Sequence, residues 1–596
     1  MPFIEDYALI GDCETAALVS RAGSIDWLCF PRFDSPACFA ALLGTPEHGR
    51  WLLTPAAPVT SVRRRYLGNT AILETELTTQ EGVVAILDFM PVRSGLPDLV
   101  RIVTGRRGKV QMRMELTIRF DYGSVVPWVR RVPGGISAVG GPDSLLLRTR
   151  VPLRGESFHT VADFVVAEAE RVPFDLTWFP SHERPDHELN PEDALRGTEA
   201  WWNDWASRCT VKGPWREAVM RSLITLKALT YAPTGGIVAA PTTSLPEKFG
   251  GVRNWDYRYC WLRDATFTLL ALLNAGYTEE ARAWREWLVR AVAGRPDQLH
   301  IMYGVSGERR LPELELPWLP GFEASRPVRI GNAAHRQFQI DVFGEVLDAT
   351  HQAWRKGVPH NDDAWRVDTA LATYLESAWN EPDEGIWEMR GPRRHFTHSK
   401  MMAWVALDRA VKGIEQFGLQ GPLDRWRTVR DAIHQEVCAR GFDARQGAFV
   451  QFYGSTLLDA SLLMMPLVGF LPASDARVRG TVEAIERRLT HDGFVSRYET
   501  IPEVDGLPPG EAAFLLCSFW LVDNLLLLGR HGDAQRLFER LLSIRNDVGL
   551  LAEGFDTEQR RQAGNFPQAF SHIGLINSAL NLSRSRAPAL ERGSTS

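Results

Sequence analysis

The spacing of apolar residues divides the chain into two textures. From about residue 7 to 185 the apolar positions come in short runs or alternate with a period of two. Ala71-Ile-Leu-Glu-Thr-Glu-Leu-Thr-Thr and Gly82-Val-Val-Ala-Ile-Leu-Asp-Phe-Met are β-rich runs set off by Gly, Pro and Asp. Val110-Gln-Met-Arg-Met-Glu-Leu-Thr-Ile-Arg-Phe alternates apolar and polar residues, the rhythm of a half-buried strand. Short strands with frequent turn signals predict an antiparallel β-sandwich over residues 1–185. The stretch from Phe179 to Pro191 reads as the start of a linker, and the Trp-rich run Glu199-Ala-Trp-Trp-Asn-Asp-Trp as a helical connection, so a linker is expected over 186–215.

Beyond residue 215 the rhythm changes to 3.6. Helices are predicted to start near Glu217, Asp264, Glu279, His335, Asp363, His398, Gly421, Ser455, Ser474, Gly510, Gly532 and Pro567. Some are apolar all round, such as Glu511-Ala-Ala-Phe-Leu-Leu-Cys-Ser-Phe-Trp-Leu-Val. Others carry one Arg-rich face, such as Ala476-Arg-Val-Arg-Gly-Thr-Val-Glu-Ala-Ile-Glu-Arg-Arg. The first kind belongs to an inner layer and the second to an outer one. Six such hairpins predict an (α/α)6 barrel over 216–585, followed by a disordered tail over 586–596. The fold class is therefore multi-domain β + α. A solenoid of helix pairs would need a fixed sequence period, and none is present. In a closed barrel the function sits on the loops at one end.

Composition narrows the function classes. A net charge of −6 gives no basic field for nucleic acid or anionic lipid. No apolar run reaches the roughly 18 residues of a membrane span, and Glu5 and Asp6 stand where a signal peptide needs basic residues. The seven Cys are scattered without a Cys-x-x-Cys pair. A reduced, cytoplasmic protein is expected, with no cofactor. Its oligomeric state is not legible. Twenty Trp point to an aromatic-lined cleft.

The chemistry concentrates in three places. Asn254-Trp-Asp-Tyr-Arg-Tyr-Cys-Trp-Leu-Arg-Asp interleaves rings and charges, which suits a sugar's apolar faces and hydroxyl rim. It equally suits a folded segment with internal ion pairs. In Asp383-Glu-Gly-Ile-Trp-Glu-Met-Arg, Glu388 follows Trp387. An aromatic neighbour can desolvate a carboxyl and fit it to donate a proton, or Glu388 can simply pair with Arg390, Arg393 or Arg394. Glu553, in Leu550-Leu-Ala-Glu-Gly-Phe-Asp, can project into a cleft or cap a turn. Asp256, Asp264, Asp341 and Glu511 are further acids among which the residues alone do not choose. His395 and His398 have a metal-like spacing but no third ligand, so substrate contact or capping is the better reading of His398 and no metal is expected. No phosphate loop and no Gly-x-Ser-x-Gly elbow is present.

Taken together, the motifs resemble those of glycoside hydrolase family 15, the glucoamylase and bacterial trehalase family. Ile10-Gly-Asp-Cys-Glu-Thr-Ala-Ala-Leu-Val and Gly23-Ser-Ile-Asp-Trp-Leu-Cys-Phe-Pro-Arg-Phe-Asp-Ser-Pro are similar to the opening of a trehalase-like N-terminal domain. Ala240-Pro-Thr-Thr-Ser-Leu-Pro-Glu, the 254–264 run, Gly385-Ile-Trp-Glu, His395-Phe-Thr-His-Ser-Lys and Asn565-Phe-Pro-Gln-Ala-Phe-Ser-His continue the likeness in order. The resemblance implies an inverting, exo-acting hydrolase of α-glucosides, with Glu388 as general acid and Glu553 as general base. It implies terminal-glucose contacts from Arg263 and Asp264 in Trp261-Leu-Arg-Asp, and a subsite lined by Arg497 and Tyr498. Trp261, Trp387 and His398 complete the expected substrate-binding set. Gly554 departs from the family, whose members usually carry Glu or Gln there. α,α-Trehalose leads as substrate, with malto- or isomalto-oligosaccharides behind it. A glycoside phosphorylase and a non-catalytic sugar-binding protein are more remote.

Overall fold

The computed structural model describes residues 2–184, 188–359 and 362–583, so the tail expected at 586–596 lies outside the described residues. The N-terminal part is antiparallel throughout, from Tyr7–Gly11 to Arg171–Pro180. One 20-residue strand, Asp98–Thr117, ties two layers together. Its first half pairs with Arg171–Pro180 and with Gly82–Phe89, and its second half with His159–Ala167 and with Arg50–Pro55. Between the halves, Arg106 to Lys109 are exposed where the chain passes from one sheet to the other. The predicted alternation is present: Val110, Met112, Met114 and Leu116 are buried while Gln111, Arg113 and Glu115 face outward.

Inside this layer a buried ion pair replaces apolar packing. Arg101 and Asp88 are both fully buried, at 2.7 Å. The guanidinium also donates to the carbonyls of Trp51 (2.7 Å) and Gly23 (2.9 Å). The charge is thus matched by a carboxylate and two backbone acceptors, the condition under which such a pair is tolerable in a core.

The connection is α1 (Pro191–Ser207), capped by Asn190, whose side chain accepts from the backbone N–H of Glu192 and Asp193. The helices that follow are α2 (Arg216–Ala228), α3 (Ala265–Ala275), α4 (Thr278–Val292), α5 (Asp341–Arg355), α6 (Asp362–Ala378), α7 (Thr397–Phe417), α8 (Leu423–Arg440), α9 (Met464–Leu467), α10 (Ala476–Arg488), α11 (Pro502–Asp505), α12 (Leu515–Leu527), α13 (His531–Ser543) and α14 (Ala569–Ser583).

Packing closes them into two rings. α3 lies against α5, α5 against α7, and α7 against the short element at 460–467. That element lies against α12, α12 against α14, and α14 against α3. Around this inner ring sit α2, α4, α6, α8, α10 and α13, which is the expected (α/α)6 barrel. Burial follows the sequence texture: α12 is buried from Leu515 to Leu525, whereas α10 buries only the stripe Val478, Thr481, Val482, Ala484 and Ile485.

Three helix starts are corrected. The helix expected near His335 begins at Asp341, because residues 333–336 form only a 3-10 turn that ends at the extended Gln337. The inner helix expected from Ser455 is only a 3-10 turn at Ala460–Leu463 followed by the four residues of α9. Pro466 has no N–H and its ring crowds the carbonyl four residues back, and Gly469 at φ 78° ends the element. The helix expected from Gly510 begins instead at Leu515, because Ala513 and Phe514 pair as a strand with Gly554 and Phe555.

The two halves are packed together. Trp27 Nε1 donates to the Pro241 carbonyl at 2.8 Å, Asn546 Nδ2 to the Tyr7 carbonyl at 2.8 Å, and Arg32 pairs with Glu308 at 2.7 Å. The sheet therefore braces the loops that enter the inner helices. Among the described residues no helix is long and apolar enough to cross a membrane.

Candidate active site

The segments entering the inner helices, 229–264, 379–396, 489–514 and 544–568, converge at one end of the barrel. Each ends at a helix N-terminus, where unpaired N–H groups favour negative charge nearby. Glu388 stands in the second of them. Its backbone is left-handed at φ 59°, just after Gly385 at φ 70°, a conformation that costs a non-glycine residue about 1–3 kcal/mol. Burial of Ile386, Trp387 and Met389 on either side holds it there. The turn aims the carboxyl at the end of the aromatic motif. Oε1 accepts from Trp261 Nε1 at 2.7 Å and from Arg263 Nη1 at 3.2 Å. Arg263 Nε in turn donates to Asp264 Oδ1 at 3.2 Å. Burial pushes Asp264 up to about 7, against the attraction of Arg263.

Glu553 arrives from the opposite side. It follows the buried run Leu550, Leu551 and Ala552 and leads into the strand Gly554–Asp556. Oε1 accepts from the Tyr257 hydroxyl at 2.7 Å and Oε2 from the Asn565 N–H at 3.3 Å. Gly564, at φ 80°, backs it so closely that a Cβ there would lie 2.4 Å from Oε2. Burial raises the Glu553 carboxyl above the usual carboxylate range, and Arg497, Tyr257 and Asn565 pull it back. Glu388 and Glu553 thus hang on neighbouring rings, Trp261 and Tyr257, whose centroids are 5.3 Å apart and edge to face.

Arg497 closes the third side. It donates to Glu247 Oε2 at 2.7 Å and to Glu511 Oε1 at 3.2 Å. Arg253 pairs with Asp505 and lies 3.6 Å from Glu511. Burial pushes Glu247 up to about 8, against Arg497 and with the help of Glu553 and Glu511. The Trp387 ring is fixed by its N–H to Asp459 at 2.9 Å and lies edge to face on Phe514. Trp255 lies beneath two guanidinium groups, Arg329 and Arg390, each 4.6 Å from its ring centre.

Glu247, Trp255, Tyr257, Arg263, Trp387, Glu388, Arg497 and Phe514 line one narrow, polar and aromatic cleft. Of the residues expected from sequence, Glu388, Arg263, Trp387 and Arg497 line it. Trp261 and Asp264 sit directly behind, one hydrogen bond away. Glu553 lines a smaller adjoining chamber that shares Glu247, Arg497 and Phe514 with the cleft. His398 is buried at the start of α7, where burial and the charge of Arg263 push its ring down to about 3. It does not line the cleft. Neither does Tyr498, which borders a separate surface hollow with Lys248 and Glu499. Among the described residues no group of three His, Cys, Asp or Glu side chains could hold a metal ion.

The aromatic motif divides in two. Asp256 and Arg258 bind each other at 2.6 Å, and Arg258 also donates to the Ser35 carbonyl of the sandwich at 2.9 Å. That pair is structural; Trp255, Tyr257 and Arg263 are the motif residues that line the cleft, with Asp264 behind Arg263. Sequence reasoning did not single out Glu247, Arg253, Trp255, Tyr257, Arg390 and Phe514. Glu247 had one legible cue, an acid closing the Pro-bounded run Pro241-Thr-Thr-Ser-Leu-Pro-Glu.

Comparison with known proteins agrees with this layout. The family model described as glycosyl hydrolases family 15 matches residues 213–580, and that of the trehalase-like N-terminal domain matches residues 1–177. The chain is 40% identical to a trehalase of Mycolicibacterium smegmatis, over 99% of this chain and 93% of that one. It is 34% identical to a trehalase of Thermoplasma volcanium, over 98% and 94%. A bacterial glucoamylase solved with acarbose has the same fold, with a TM-score of 0.71 at 10% identity, covering 99% of this chain and 94% of that one. The chain belongs to glycosyl hydrolase family 15 and is a glycoside hydrolase.

Proposed function

We propose that the protein hydrolyses α,α-trehalose with inversion at the attacked carbon. One observation carries the mechanism: two glutamates, Glu388 and Glu553, are each held by a hydrogen bond from one of two packed aromatic residues, Trp261 and Tyr257, and reach the site from different segments. Glu388 gives its proton to the glycosidic oxygen. Glu553 takes a proton from the water whose oxygen bonds to C1 from the opposite face. The C1–O bond breaks, one glucose leaves in the β form, and the other departs with its α configuration untouched. Arg263 and Asp264 offer a cation and an acceptor to the terminal hydroxyls, and Trp387 offers an aromatic surface. Arg497 lines the same subsite. In this reading residues 1–185 form the sandwich, 186–215 the linker and 216–585 the catalytic barrel, and no cofactor takes part.

Trehalose is favoured because the trehalases match this chain over nearly their whole length, N-terminal domain included. A second reading, an isomaltose-type glucohydrolase, has in its favour a 27% identical stretch shared with the isomaltose glucohydrolase of Kribbella flavida, over 44% of this chain. A panel of trehalose, maltose, isomaltose, kojibiose, nigerose and short dextrins decides between them. The proposal requires the highest kcat/KM on trehalose; a higher value on isomaltose or maltose refutes it. Glucose 1-phosphate formed only when phosphate is present would indicate a phosphorylase instead.

A further inference from the structure

Glu247 is a buried acid that the two-glutamate mechanism does not use. It stands on the wall between the cleft and the chamber of Glu553, lining both. Its backbone is pinned on each side: its N–H donates to the Arg253 carbonyl at 3.1 Å, and its carbonyl accepts from the Ala512 N–H at 2.8 Å. One carboxyl oxygen, Oε2, is taken by Arg497 at 2.7 Å, while Oε1 accepts nothing from any described residue. The chamber beyond it is walled by Phe514, Ala512, Ala563, Gly554 and Gly564 and by the carboxyl of Glu553. It has room for about one water molecule.

We propose that Glu247 is a positioning residue for the hydrolytic water, which it and Glu553 hold between them before attack. The inference rests on the assignment of Glu553 as base. Arg497 fixes the Glu247 carboxyl on one oxygen, so the other points to a constant place. Burial raises the Glu247 carboxyl against the pull of Arg497 and so favours its neutral form, in which its O–H donates to the water while Glu553 accepts from it. With the water held at both ends, one hydrogen faces the base and a lone pair is left for C1. In the step itself the water's proton goes to Glu553, its oxygen bonds to C1, the glycosidic bond breaks, and the leaving oxygen takes the proton of Glu388. Glu247 ends the step as it began. Gly554 and Gly564 leave the chamber free of side chains, and a Cβ on Gly554 would already lie 3.0 Å from the Ala513 carbonyl oxygen.

The test compares wild type, Glu247→Ala and Glu247→Gln on trehalose and on α-D-glucosyl fluoride, whose leaving group carries no sugar. Water attack is common to both substrates. Glu247→Ala should lower kcat at least about tenfold on both, with KM within about threefold. Glu247→Gln, which keeps a donor at the same place, should recover most of that loss. A loss confined to trehalose would make Glu247 a contact of the leaving sugar and overturn the proposal. So would an effect on KM alone, or equal losses in the two variants. A wild type that turns over the fluoride but not trehalose refutes the substrate reading only, and the Glu247 comparison is then decided on the fluoride.

Discussion

Removing the Tyr257 hydroxyl should disable the base selectively at low pH. In Tyr257→Phe the ring keeps its edge-to-face packing on Trp261, at 5.3 Å, and only the 2.7 Å hydrogen bond to Glu553 Oε1 is lost. A hydrogen bond to a charged acceptor is worth about 1.5–3 kcal/mol, or roughly a 10- to 100-fold preference for the ionised form. The sign follows from the base's role. Glu553 must be ionised to accept a proton, its carboxyl is already raised by burial, and Tyr257 opposes that rise. Without the hydroxyl, the acid-side limb of kcat/KM moves to higher pH. Below the limb kcat/KM should fall by roughly 10- to 100-fold, whereas on the plateau it should change far less. Initial rates on trehalose across the pH range, with circular dichroism at each pH to show that the fold persists, measure both. An acid limb that stays in place, or moves to lower pH, would refute the hydrogen bond's assigned role.

Gly564→Ala tests the seat of the same carboxylate. Its Cβ would fall 2.4 Å from Glu553 Oε2 and 2.7 Å from its Cβ, so the base must move, and a misplacement of that order costs about 100-fold in kcat; wild-type kcat would contradict it. Arg101→Ala strands the buried Asp88 carboxylate and should cost about 3–5 kcal/mol in urea denaturation, with the same kcat in the protein that remains folded. A loss under about 1 kcal/mol would mean that the pair is solvated.

Much of the architecture could be read from periodicity, because burial and periodicity are two views of one constraint. Val110 to Leu116 alternate in sequence and in the sheet, and α12 is apolar all round because it sits in the inner ring. The short inner element at 460–467 was not legible: an apolar run such as Leu462-Leu-Met-Met-Pro-Leu looks helical, and Pro466 and Gly469 decide how little of it can be. At the site, the residues alone left Arg263 and Glu388 open between sugar contact and internal ion pairs, and only the family motifs pointed to them. Tyr257 and Glu247 could not be assigned that way, because their roles depend on partners far along the chain, Glu553 and Arg497. Asp256 and Arg258 look just as suited to sugar as Arg263 and Asp264. Only packing against Ser35 separates them.

Proton NMR of the first products, taken before the anomers equilibrate, shows whether Glu388 and Glu553 work as an inverting acid and base on trehalose. Trehalose holds two α-linked glucoses. Inversion at one of them must give β-glucose and α-glucose in equal initial amounts. Initial release of α-glucose alone would mean retention, and would contradict the account.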